Sequence, residues 1–234
     1  MTHEQHHRAL VQRLASELKP AHRIWPVGTR LALWMVLEVA IMALVLAGLG
    51  GVIISRLRQP GYALEVLFFG VAAVIFSALA LRSAIPGRQA GTGELTLASL
   101  LILAGTLLIG VAAPVDTSHT LGEFVSVGVQ CALRIGLYSA LPLAMIWWMM
   151  KRGAPMRSGV SGLLAGGSAA FFAFAILRLE CPIDEPLHVL TWHLLPAIGL
   201  IGLSALAGAK WLKFRSRIQW RDQREGSARP DTID

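Results

Sequence analysis

The sequence predicts an all-α polytopic membrane protein with six transmembrane helices and both termini in the cytoplasm. Apolar residues make up 55 % of the 234 and charged residues only 15 %, and the mean hydropathy is +0.60. A soluble domain carries about 25 % charged residues and cannot bury so much apolar surface. The apolar residues also fall into six runs of about 20, the length that crosses a bilayer as a helix. Finally, the basic residues keep to alternate connections, which is a topology signal.

Residues 1–30 form a polar cytoplasmic segment with no expected cleavable signal peptide. Thr2 and Gln5 fit a capping box, and Leu10, Val11, Leu14 and Leu18 fall within about 80° of helical arc. Arg8, Gln12 and Lys19 take the opposite side. Pro20 stops this helix, and Pro26 separates it from the first span. Such a stripe suits a membrane surface or the groove of a partner protein.

The transmembrane domain, 31–209, holds spans at 31–54, 63–81, 95–113, 127–150, 160–179 and 187–209. Turn residues mark the connections: Gln59-Pro60-Gly61, Ile85-Pro86-Gly87, Ala113-Pro114, Gly153-Ala154-Pro155 and Cys181-Pro182. Glycines at Gly48 to Gly51 and at Gly162 to Gly167 read as close helix contacts. Pro142 and Pro196 can kink the fourth and sixth spans. The basic tail, 210–234, is expected to be disordered from Arg215 onward.

Seventeen of the 21 Lys and Arg residues lie on the side of the N-terminus, against Arg56 and Arg58 on the other side. That side is therefore the cytoplasm. Trp25, Trp34, Trp147, Trp148, Trp211 and Trp220 all fall near that interface or beyond it. A pI near 10.2 thus reports topology, and direct nucleic-acid binding is not expected.

The outer face gathers the soft ligands. Counting back from Trp147-Trp148 places Cys131 near the outer start of span four, while Cys181 ends span five. His188 and His193 open span six, and His119 precedes span four, with Glu180, Asp184 and Glu185 beside them. Three readings compete. The cysteines can be small apolar fillers, a disulfide in an oxidising periplasm, or ligands of a metal. Two thiolates suit Cu(I), and two added imidazoles also suit Zn²⁺ or Cd²⁺. The spacing of His188 and His193 counts against a shared face, since they are five apart rather than four.

Ionisable groups inside spans are the second anomaly, each costing at least about 2.5 kcal/mol unless paired or hydrated. Glu38 lies in span one. Glu65 opens span two, Arg134 lies one turn below Cys131, and Arg178 closes span five. An Arg134–Glu65 pair is possible on this topology, and Arg178 can snorkel to the interface. These residues either fix helix packing or link the cysteine region to the bundle. There is no Gly-rich phosphate loop, His-Glu-x-x-His, Gly-x-Ser-x-Gly or Cys-x-x-Cys, so no enzyme is expected. A thiol oxidoreductase working with a quinone, or a small metal transporter, are the alternatives.

Several segments resemble a known family. Leu14-x3-Leu18-x-Pro20 with Arg23 and Pro26 is similar to the N-terminus of bacterial six-span inner-membrane anti-sigma factors, the type that negatively regulates sigma-F. Cys131-x2-Arg134, Trp147 to Pro155, Cys181-Pro182, Asp184, His188 and Trp192-His193-x2-Pro196 continue the likeness. Trp25-Pro26 departs from the paired prolines frequent in the family. The resemblance implies a protein that holds an extracytoplasmic-function sigma factor at the inner membrane. It implies release on heavy-metal or thiol-oxidative stress, sensed through Cys131 and Cys181. His188, His193 and Asp184 are the accompanying candidates, with Arg134, Arg178 and Glu65 for intramembrane coupling. The sigma-binding element would comprise Leu10, Leu14, Leu18, Pro20 and Arg23. No constitutive cofactor is implied; copper is the favoured signal among soft metals.

Overall fold

The computed structural model describes residues 4–5, 7–9, 11–12, 25–49, 57–85, 87–88, 91–112, 120–153, 155–181 and 183–227. Among these residues every long element is a helix, and six helices are long and apolar enough to cross a membrane. In hydrocarbon each backbone N–H and C=O must be satisfied within its own segment, which helices achieve.

The helices are α1 (Val27–Leu49), α2 (Pro60–Ser83), α3 (Thr92–Ala112), α4 (Leu121–Lys151) and α5 (Ser158–Glu180). The sixth, α6, is continuous through three parts: Pro186–Val189, a π-helical turn at Leu190–Leu194, and Leu195–Ser227. Pro60 occupies the first turn of α2, where a missing N–H costs nothing. Gly87, at φ 82°, turns the chain from α2 towards α3, a conformation open to glycine.

Two boundaries depart from the hydropathy. Helix α4 begins at Leu121, six residues before the expected 127, because Thr120 and Glu123 form a capping box. The Glu123 N–H donates to Thr120 Oγ1 at 3.3 Å, and the Thr120 N–H donates to Glu123 Oε2 at 3.0 Å. Polar residues such as Glu123 and Ser126 hide that start from a hydropathy window. At the other end of the chain, α6 remains helical to Ser227, so the expected disorder from Arg215 does not hold that far. Arg, Lys, Gln and Leu all favour helix, and no breaker intervenes before Gly226.

Helix α5 is the hub: almost all its residues are buried, and it packs against α1, α2, α4 and α6. Between apolar helices in lipid, close packing rather than hydrophobic transfer does the work, and α5 is built for it from Gly, Ala, Ser and Phe. Phe69 and Phe76 of α2 meet Phe171 and Phe174, with ring centroids 4.1 Å apart for Phe69–Phe174. Against α6, the expected small-residue contact is present. Ser204 Oγ donates to the Gly162 carbonyl at 2.7 Å, and Trp147 Nε1 donates to Ser204 Oγ at 3.3 Å. Gly48 has open space around it, so no close helix contact forms there; Gly50 and Gly51 lie outside the described residues.

The outward faces of α3, α4 and α6 present Leu100, Leu103, Leu107, Leu133, Leu137, Leu203 and Leu206 to the surroundings, as a bilayer requires. Trp25, Trp148 and Trp211 are exposed at one end of the bundle, where Arg152 lies 4.1 Å over the Trp148 ring. Trp34 is not in this belt: it is 1 % exposed and packs edge-on against Phe172 of α5. In the N-terminal segment, residues 4–5, 7–9 and 11–12 are helical, Arg8 pairs with Glu4 at 2.6 Å, and Val11 is exposed. Leu10, Leu14, Leu18, Pro20 and Arg23 lie outside the described residues.

The α5–α6 seam gives a direct test. A Cβ added at Gly208 would stand 2.6 Å from the Ser158 carbonyl oxygen and 2.9 Å from Gly162 Cα, whereas Gly199 has nothing within 4 Å. Overpacking costs about 1–3 kcal/mol, and backbone atoms give way least. Gly208→Leu should therefore lower the melting temperature of the detergent-solubilised protein, read by fluorescence-detected size exclusion. Gly199→Leu should leave it unchanged.

Candidate metal centre

The centre forms where α5 ends. Cys181 caps that helix in an extended conformation, its N–H donating to the Leu177 carbonyl at 2.8 Å. Its Sγ lies 3.5 Å from Sγ of Cys131 and 3.5 Å from Nε2 of His188. Cys131 sits on the third turn of α4 rather than in its first, because α4 starts earlier than the hydropathy suggests. Cys131 and Cys181 are both buried and are not joined by a disulfide, so the disulfide reading does not describe this state.

His193 completes the group. One donor atom from each of Cys131, Cys181, His188 and His193 lies within 4.8 Å of the other three, and all four residues are buried. The two histidines share a face because of the π turn. The Leu195 N–H bonds to the Leu190 carbonyl, five residues back, which sets residues five apart one above the other. The spacing that argued against a joint site is thus the spacing this turn requires. Their rings meet edge-on at 5.5 Å, walled by Phe124 and Phe174.

The donor set fits a tetrahedral soft or borderline ion. Bonds of about 2.3 Å to sulfur and 2.0–2.1 Å to nitrogen imply donor–donor edges of about 3.3–3.8 Å. The contacts at Cys181, both 3.5 Å, fall inside that range. Buried polar atoms normally have partners. Yet Nδ1 of His188 and both ring nitrogens of His193 have no hydrogen-bond partner among the described residues. The Cys181 thiol is held below the ordinary thiol range. The Cys131 thiol hydrogen-bonded to it is the largest cause, and the His188 and His193 rings add to it against the opposing effect of burial. Thiolate is the ligating form.

The surrounding charges hold this end of α5 in place. Arg178 Nε donates to Glu65 Oε2 of α2 at 2.6 Å, and Arg178 Nη1 donates to Asp184 Oδ1 at 3.3 Å. Tyr62 of α2 lies under the guanidinium at 4.6 Å from its ring, donates to the Arg178 carbonyl, and reaches Asp184 Oδ1 at 3.1 Å. Two residues on, Glu180 accepts from Arg134 Nη1 of α4 at 2.9 Å and from the Tyr138 hydroxyl at 2.6 Å.

These contacts correct three expectations. Arg134 pairs with Glu180, not with Glu65, because Glu65 faces the buried flank of α5 that carries Arg178. Arg178 does not snorkel: its side chain is 1 % exposed, and its charge is met inside the protein. Asp184 accepts from Arg178 and Tyr62 and stands outside the four-donor cluster. His119 lies outside the described residues. Tyr62 and Tyr138 were missed, although the chain has only two tyrosines and both carried a signal. Tyr62 precedes Glu65 by three residues and Tyr138 follows Arg134 by four, the spacings that share a helix face.

A six-helix bundle with a buried thiol–imidazole cluster at one end defines a polytopic membrane protein with a cluster able to coordinate a metal ion. The family described as negative regulator of sigma F matches residues 14–214, and the chain belongs to that membrane-associated regulatory family. No curated protein and no solved structure matches it.

Two outcomes follow from this geometry. Titrating the reduced protein with Cd²⁺ should raise a near-ultraviolet thiolate charge-transfer band saturating at one ion per chain. Outer-shell partners alone are worth about 10–100-fold in metal affinity, so His193→Ala should weaken binding at least that much. Cys131→Ser should cut the band's intensity; a full-strength band in that variant would remove Cys131 from the ligand set.

Glu65→Leu leaves Arg178 without its closest counter-charge, a loss worth about 3–5 kcal/mol for a buried pair. Pairing it with Arg178→Met should restore much of the thermal stability, because no uncompensated cation then remains.

Proposed function

We propose that this protein is an anti-sigma factor that holds an extracytoplasmic-function sigma factor at the bacterial inner membrane. It releases that factor when a soft metal ion or a thiol oxidant reaches Cys131, Cys181, His188 and His193 from the periplasm. The observation that carries the reading is the four-donor cluster, buried and built from three different helices, in a chain of the negative regulator of sigma F family. The charge asymmetry supports the orientation, with the cluster outside and both termini inside.

In this reading, the stretch from 178 to 181 links sensing to the bundle. Ligation would draw the donors towards a common tetrahedral edge, and the widest separation, up to 4.8 Å, would contract most. Cys131 rides on α4, Cys181 on the end of α5, and both histidines on α6, so contraction moves helices rather than one loop. Glu180 and Arg178 tie the same end to α4 and α2, and the displacement spreads through those ion pairs. Two thiolates favour Cu(I), and the imidazoles extend the range to Zn²⁺ and Cd²⁺. On the cytoplasmic side, residues 1–30 hold the partner, with Leu10, Leu14 and Leu18 as the apolar stripe and Pro20 and Arg23 at its end. Differential binding of about 2.7 kcal/mol to the two arrangements changes partner occupancy roughly a hundredfold.

The test is affinity purification of the tagged full-length protein from unstressed cells of its own host, with the bound proteins identified by mass spectrometry. A sigma factor should accompany the full chain and be lost from Leu14→Asp, which still inserts. Cys131→Ser and Cys181→Ser should keep the partner but fail to release it on metal exposure. A full-length bait that brings down no sigma factor refutes the reading.

A further inference from the structure

All four donors of the thiol–imidazole cluster are buried, so an ion or oxidant that reaches them must displace something. Phe124, Gly128 and Cys131 form one column on α4, four and three residues apart, the separations that share a helix face. The column runs from the end of the bundle where α4 begins down to the cluster. Its middle member has no side chain, and the Trp192 indole of α6 takes the room: a Cβ at Gly128 would overlap the ring. Phe124 stands beyond it, edge-on to Trp192 at 6.1 Å and to His188 at 5.6 Å between centroids. Both rings are half-buried, so each has one side at the surface and the other towards the cluster. The remaining sides are closed more firmly. Phe174, itself 0 % exposed, backs His193, and the Arg134–Glu180 ion pair at 2.9 Å joins α4 to α5 just below Cys131.

The hold on Trp192 is a loose one. Its Nε1–H is buried without a hydrogen-bond partner among the described residues, whereas Trp147 Nε1 donates to Ser204 Oγ at 3.3 Å. Buried indole N–H groups ordinarily find an acceptor, and one that does not keeps its full desolvation cost. An outward swing of the Trp192 ring gives the N–H to water, which offsets part of the packing lost. No hydrogen bond of the indole has to break, so packing alone keeps this ring in place.

We propose that Trp192 and Phe124 are a gate that selects by size: metal ions and oxidants of a few atoms reach the cluster, and bulky disulfides do not. A small excursion of the two rings opens a passage of about one water, ~1.4 Å in radius, which is enough for an ion. A disulfide has to bring one of its own sulfurs, with both substituents attached, up to the attacking thiolate, so its rate follows access. It reacts only when the indole is out of the way. The gate rests on the metal-centre reading and narrows the proposed signal to one class of agent; it does not depend on the sigma partner.

The test compares a small and a bulky thiol probe on the reduced full-length protein in detergent. Cd²⁺ is followed by its charge-transfer band. Dithiobis(nitrobenzoate) is followed by the coloured aryl thiolate that leaves as each cysteine thiolate forms a mixed disulfide. Trp192→Ala vacates the room beside Gly128, and adding Gly128→Leu refills it from α4. Trp192→Ala should speed aryl-thiolate release about tenfold or more, the factor that about 1.4 kcal/mol off the opening free energy gives, and should still bind one Cd²⁺ per chain. The double variant should return release towards the wild-type rate, which a general loosening of the fold would not do. A wild-type release rate in Trp192→Ala overturns the gate, and so does fast release from the double variant. A wild type that binds no Cd²⁺ overturns the metal-centre reading instead, and the release rates then judge the gate alone.

Discussion

A cation buried in protein must find its counter-charge there, and much of this bundle is arranged around one such cation. Arg178 is fully enclosed near the end of the most buried helix, so neither water nor headgroups can reach it. Glu65 meets it at 2.6 Å and Asp184 at 3.3 Å, while Tyr62 stacks beneath. Those contacts commit α2, α5 and the connection after α5 to one relative position. Glu180 adds α4 through Arg134 and Tyr138. Cys181 is the next residue, so the sulfur at the centre of the thiol–imidazole cluster sits on a helix end already pinned on two sides.

The opposite flank of α5 is held by different means. Against α6, no ion pair is formed among the described residues; glycines and serines let the two backbones approach, and Ala170, Ala197 and Ile201 fill the contact. That contact suits a helix pair whose outer end must carry a local irregularity. The π turn at Leu190–Leu194 rotates everything before it by the extra residue, and the close seam around Gly162 and Ser204 begins only beyond it. An ordinary α-helix through the same sequence would place His188 and His193 on diverging faces. Gly128 of α4 leaves the room that the Trp192 indole occupies within the π turn.

The six helices were legible because hydropathy over about 20 residues integrates many weak preferences into one strong signal. The small-residue character of α5 was legible for a related reason, since glycine at Gly162 and Gly166 has few uses in a span except closeness. Pairings were not legible. Glu65 had two arginines at compatible depth, and only the burial of α5 on all sides decides for Arg178. The histidine pair was legible from topology although its spacing argued against it, because spacing arguments assume α-helical geometry, and no local feature of Leu190 to Leu194 announces a π turn. Trp34 was assigned to an interfacial belt by its position in the chain, a rule that ignores which face of α1 turns inward. The early start of α4 was written in Thr120 and Glu123, but in polar residues that a search for apolar runs discards.

A sensor needs a ligand site that cannot relax by itself. If Cys131, Cys181, His188 and His193 lay on one flexible loop, metal binding would be absorbed within the loop and nothing further would move. Here the donors are divided among α4, the end of α5 and the start of α6, and the stretch that carries Cys181 is fixed by the ion pairs of Arg178 and Glu180. Packed interiors respond to such a demand by shifting whole helices between discrete arrangements rather than by local compression. Under the proposed function, α6 is the helix with most to transmit, for it carries two of the four donors at one end and runs unbroken to Ser227 at the other. Among the described residues its seam with α5 carries no ion pair, unlike the α2 and α4 sides of the hub, so a shift of α6 along it breaks none. Under that function the two flanks of α5 would be complementary: the ion-paired one would resist the strain of ligation, and the one without ion pairs would give it a direction.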